Sequence, residues 1–220
     1  INQAGVDVNV DLDQRFHSQQ KGYISKRKHF WTLDELNQRT EKLIAVISSP
    51  TSEDRRQVSE DDCYNVLEAW MELAKEIHGL QAASRARTLL DQMEAASFIP
   101  KTSFYDVVMQ AYAVSGGLQP AAEAAQKLLE RMLSRCRAYH ENRQGHPPPE
   151  PMGKTFDIVN ICWAKSDSLQ AGDRAEQVYA AMQTWGQECR SHRLEDPSSP
   201  YVGCHPNSRS LNGVIIAWSK

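Results

Sequence analysis

The chain predicts an all-α fold, a solenoid of tandem helix hairpins, and three recurrences in its 220 residues carry that prediction. An eight-residue frame appears four times, a second apolar stripe comes after it three times, and a proline stands at a constant offset before three of the four frames. A pattern that recurs along a chain describes a unit that cannot bury its own apolar face and must stack on its neighbours.

The four frames are Cys63 to Trp70, Tyr105 to Tyr112, Phe156 to Trp163 and Leu211 to Trp218. Their first, fourth, fifth and eighth positions are apolar, as in Tyr105, Val108, Met109 and Tyr112, and that i, i+3, i+4, i+7 spacing is one face of a helix. The third frame breaks the rule once, with Asn160 at an apolar position. Every frame ends in a small residue and an aromatic: Ala69-Trp70, Ala111-Tyr112, Cys162-Trp163, Ala217-Trp218. The small residue suits close approach of a neighbouring helix, and the aromatics read as core rather than as a base-stacking ladder.

The second stripe has the same spacing: Ala86, Leu89, Leu90, Met93; Ala125, Leu128, Leu129, Met132; Ala175, Val178, Tyr179, Met182. A Leu-Gln pair precedes each, with Gly79 and Gly116-Gly117 expected in the turns, so the unit is helix, turn, helix. Pro100, Pro151 and Pro206 each stand five residues before a frame and end the preceding helix. Two polar, proline-bearing stretches, Ala138 to Glu150 and His192 to Cys204, widen the repeat spacing and are expected as long loops protruding from one side.

The chain divides into three regions. Residues 1–31 form a polar, partly extended N-terminal segment with the basic run Lys26, Arg27, Lys28. Residues 32–57 hold a capping helix and loop, since Thr32-Leu33-Asp34-Glu35 has capping-box form and Leu33, Leu36, Leu43, Ile44 and Ile47 make a stripe. Residues 58–220 are the hairpins, about three plus the first helix of a fourth. A start at Ile1 fits a removed leader or a fragment. A solenoid does not normally end on a bare apolar helix, so Val214, Ile215 and Trp218 are expected to meet further protein or another subunit.

A net charge of −3 gives no long-range field for a polyanion, so any phosphate contact must be local. The candidates are Lys26, Arg27 and Lys28 with Arg131, Arg135, Arg137 and Arg143. Five cysteines with no C-x-x-C pair point to a reducing compartment. Cys189, His192, Cys204 and His205 are metal-ligand types in a spacing that matches no closed zinc pattern. No motif supplies a catalytic nucleophile, a phosphate loop or paired carboxylates, so the expectation is a non-enzyme without cofactor or metal, and no apolar run is long enough for membrane insertion.

The junctions Ile99-Pro100-Lys101-Thr102-Ser103-Phe104-Tyr105-Asp106 and His205-Pro206-Asn207-Ser208-Arg209-Ser210-Leu211-Asn212 resemble those of the pentatricopeptide repeat family over residues 58–220. The Ala-aromatic frame ending and the Ala-x-x-Leu-Leu-x-x-Met second helix are similar too. Tetratricopeptide repeats share the hairpin, but their Trp-x-x-Leu-Gly signature is absent. The resemblance implies an array that binds single-stranded RNA in a mitochondrion or chloroplast, one base per repeat. Carried over by position, it implies RNA contacts at Asp106, Asp157 and Asn212, at Lys101 and Asn207 after the prolines, and at Lys154 and Arg209 where the family sandwiches the base. Because none of the sandwiching positions is aliphatic, the expectation is RNA binding without strict base-by-base reading. The alternative is a scaffold subunit of a larger organellar assembly that uses the same groove for protein.

Overall fold

A computed structural model describes residues 31–49, 59–76 and 79–220, and the compact unit comprises Thr32–Lys220. The basic run Lys26, Arg27, Lys28 lies outside the described residues. Those residues are all-α, with eight helices and no strand among them. The helices are α1 (Leu33–Ile47), α2 (Glu60–Ala74), α3 (Gly79–Ala95), α4 (Thr102–Val114), α5 (Gln119–Asn142), α6 (Gly153–Lys165), α7 (Ala171–Glu195) and α8 (Ser208–Trp218).

The frames fall on α2, α4, α6 and α8, and the second stripes on α3, α5 and α7. The frame helices α2, α4 and α6 pack on their own second helices and on the neighbouring frame helices, and α4, α6 and α8 also pack on the preceding second helix. In the first hairpin both stripes are buried, Val66, Leu67 and Trp70 of α2 with Ala86, Leu89, Leu90 and Met93 of α3. Each large apolar side chain among them contributes about 1.5–3 kcal/mol by leaving water.

The helix starts obey local chemistry. Thr32 accepts the Glu35 amide proton while the Glu35 carboxylate accepts the Thr32 N–H, a closed capping box on α1. Ser59 and Asn207 cap α2 and α8 with side-chain oxygens. Leu33 is exposed, and the face of α1 that packs uses Leu36, Thr40 and Ile47 instead. Thr40 satisfies itself by donating to the Leu36 carbonyl at 2.8 Å and accepting the Trp70 indole N–H at 2.9 Å. Gly116 and Gly117 have φ of +104° and +71°, the left-handed turn that glycine permits. Gly79 is not a turn residue: it opens α3, where a Cβ would stand 2.5 Å from the Ser115 carbonyl oxygen.

The two stretches expected as long protruding loops are corrected by the structure. Ala138 to Asn142 continue α5 and His192 to Glu195 continue α7, giving second helices of 24 and 25 residues. Beyond each helix end the chain folds back. Tyr201 is buried and donates its hydroxyl proton to the Pro148 carbonyl at 3.2 Å, and the Glu150 carboxylate accepts the N–H groups of Val202 and Gly203 at 3.1 and 2.6 Å. The physical reason is that Cys136 and His140 on α5, and Trp185 and Cys189 on α7, keep the i, i+4 spacing of a buried stripe through polar composition.

Candidate functional site

Two of the positions that the family resemblance assigns to RNA, Asp106 and Asp157, sit at the seam between successive frame helices. Asp106, second in its frame, is buried and accepts the Thr155 hydroxyl proton at 2.8 Å; Thr155 is the residue just before the next frame. The Thr155 hydroxyl in turn accepts the Met152 N–H at 3.1 Å. One repeat on, Asp157 is buried and accepts from Ser210 at 2.8 Å, and the Ser210 hydroxyl accepts the Asn207 N–H at 3.4 Å. The first seam is apolar in the same register, with Tyr64 edge-on to Phe104 at 5.6 Å between centroids. The second frame position is therefore a junction between helices. Burial raises the pKa of both Asp106 and Asp157, against the lowering effect of the hydroxyl bonds by which Thr155 and Ser210 hold them.

The other carried-over residues are dispersed. Lys101 is exposed and ion-paired with Glu60. Lys154 is exposed with its ammonium 3.8 Å from Asp106. Asn207 spends its side-chain oxygen on the N–H groups of Arg209 and Ser210, and Asn212 is exposed on α8. Arg209 is exposed and lowers the Asp157 pKa through space.

The four arginines offered as phosphate contacts are braces between second helices. Arg131 donates to Asp91 at 2.7 Å and lies 3.1 Å from Glu94, and Arg135 pairs with the same Glu94, which also accepts the Tyr105 hydroxyl proton. Arg137 bonds Glu188 at 2.9 Å and Arg143 bonds Asp196 at 2.6 Å. Each guanidinium already has a carboxylate, so a phosphate would have to displace an internal partner. The sequence could not show this, because the partners lie 40 to 53 residues away.

Sequence reasoning missed one regularity. The tryptophan ending three of the four frames donates its indole N–H to the preceding helix: Trp70 to Thr40 on α1, Trp163 to Gln126 on α5, Trp218 to Glu176 on α7. Helix α1 thus stands where a second helix would precede the first frame. The signal was present as a polar residue partway through each preceding helix, but without the register it had no meaning.

On α8 the expectation for Val214 is corrected: it is buried, because it faces the preceding hairpin. The uncovered row is Leu211, Ile215, Ile216 and Trp218, at 46, 56, 54 and 54% exposure. At the first, fifth and eighth frame positions of α2, α4 and α6 no residue exceeds 5%. Cys189 and Cys204 are not arranged around an ion with the histidines: Arg190 contacts His205, and no group of three or more Asp, Glu, Cys or His could share a metal among the described residues. Comparison of the chain with family models, curated proteins and solved structures returns no match.

Proposed function

We propose that this chain is a non-catalytic helical-repeat scaffold of pentatricopeptide type, in which each hairpin stacks on the last and the exposed row of α8 accepts an amphipathic helix, from further protein of the same array or from another subunit. The single observation that carries this reading is a contrast in exposure between equivalent frame positions. Cys63, Leu67 and Trp70, then Tyr105, Met109 and Tyr112, then Phe156, Asn160 and Trp163 are all buried, while Leu211, Ile215 and Trp218 are half-exposed at the same positions. The fold itself displays the complement, three times over: a helix with an Ala-x-x-apolar-apolar-x-x-apolar stripe. Dense packing between sequential neighbours supports the array.

RNA binding is the second reading, favoured by the exposed Lys154, Lys165 and Arg209 on the frame helices α6 and α8. One experiment separates the two. The chain is titrated with a synthetic peptide of residues 119–142, with a control peptide carrying Asp at Leu128 and Leu129, and separately with single-stranded RNA across a salt series. A saturable change in tryptophan fluorescence, lost with Trp218→Phe and abolished by Ile215→Asp, supports the scaffold. RNA binding that falls steeply with salt and in K154A/R209A, with no response to the peptide, overturns it in favour of RNA.

A further inference from the structure

The extended ends of α5 and α7 meet at a pair of imidazoles. His140 on α5 and His192 on α7 stack with centroids 4.2 Å apart and planes 11° from parallel. Tyr201 closes the edge of His140 at 4.8 Å and Trp185 lies at 6.2 Å. His140 is buried, and neither of its ring nitrogens has a hydrogen-bond partner among the described residues. A neutral imidazole tolerates that setting as an aromatic disc. An imidazolium does not, since it presents two N–H donors to rings and repels a second cation against its face.

We propose that the stacked His140–His192 pair is a pH-sensitive latch, which joins the extended hairpin ends and their folded-back loops at neutral pH and releases them when the His140 imidazole takes up a proton. The surrounding charges largely cancel. From α5, Arg137 and Arg143 add positive charge and Glu141 adds negative; from α7, Glu188 and Asp196 add negative charge. The arginines and acids neutralise each other as the Arg137–Glu188 and Arg143–Asp196 pairs. From the two loops, Glu150 is spent on backbone N–H groups and Tyr201 stays protonated, its pKa raised by burial, while Arg193 donates to the Tyr201 carbonyl. Cys136 and Cys189, both pushed up to about 12 by burial, stay neutral. Asp196 stays ionised, because Ser198 holds it below the usual carboxylate range. Burial, His192 and Arg143 together lower the His140 pKa, so the closed form binds fewer protons than the open one. The latch is therefore fully closed above the ordinary histidine value and weakens as pH falls below it.

The test is hydrogen exchange of the whole chain, read by mass spectrometry from pH 7.5 to 5 and corrected for the intrinsic rate. Residues 60–95 serve as the internal reference. Opening of residues 136–142 and 185–205 is expected to rise about tenfold per pH unit below pH 6.5, relative to the reference. His140→Phe keeps the stacked rings without the ionisable imidazole and is expected to be flat over that range, whereas His192→Phe leaves His140 to ionise in the same buried setting and is expected to keep a pH response. If His140→Phe does not fold, His140→Leu, another side chain that cannot ionise, takes its place. A flat wild type, or a pH response that persists in the folded His140 variant, overturns the latch.

Discussion

Asn160 shows how much a single position can depart from its repeat. It occupies the frame position filled by Leu67 and Met109 in the two copies before it, is buried, and has neither amide atom hydrogen-bonded among the described residues. Its Cβ is 3.0 Å from where a Cβ on Gly213 would stand, so α8 approaches it over a bare glycine. An unmet buried amide costs about 1–3 kcal/mol, and leucine has a similar branched shape. Asn160→Leu is therefore expected to stabilise the chain by about 1 kcal/mol, read as a higher urea midpoint with unchanged slope. The seam carboxylates Asp106 and Asp157 make the complementary point, because what a family pattern offers as a reading position is here a fastener between helices.

Among the elements, α7 is the one on which most else rests. Gly186 lies under the returning segment, and a Cβ there would collide with the Cys204 carbonyl oxygen and the His205 ring. Gly186→Ala improves helix propensity by about 1 kcal/mol, but the obstacle is backbone, so the collision is expected to win by a net ~1–2 kcal/mol of destabilisation. Thermal unfolding would show it as a lower midpoint, and hydrogen exchange would place the loss in residues 199–206. The frame helices were legible in the sequence because four copies in one register overdetermine them. The tails of α5 and α7 were not, since the polar residues between Cys136 and His140, and between Trp185 and Cys189, hid a stripe that the i, i+4 spacing still carried. The candidate site was legible by position and not by role: nothing local tells Asp106 that Thr155 will meet it.

Across the whole molecule the five cysteines are free, and four are buried inside helices of the stacked core. Burial raises Cys63 to about 11 and the other four to about 12, so at pH 8 the folded chain holds its sulfurs as neutral thiols. Titration with a thiol reagent is expected to modify Cys204 first and slowly, and the remaining four only as denaturant unfolds the chain. Burst reaction of two or more thiols in the native protein would show that the hairpins part far more readily than their packing indicates.

The braces between second helices carry one further consequence. On the frame side, neighbours meet directly in buried contacts, where the Cys162 thiol donates to the Met109 carbonyl oxygen at 3.8 Å and Thr155 and Ser210 donate to Asp106 and Asp157. On the other side, α3, α5 and α7 are tied by arginine–carboxylate struts at Asp91, Glu94, Glu188 and Asp196. One edge is stiff and the other is sprung on flexible, partly exposed side chains whose attraction is screened by salt. Bending should therefore hinge on the stiff edge, and the chain should grow more compliant as ionic strength rises while its core stays intact.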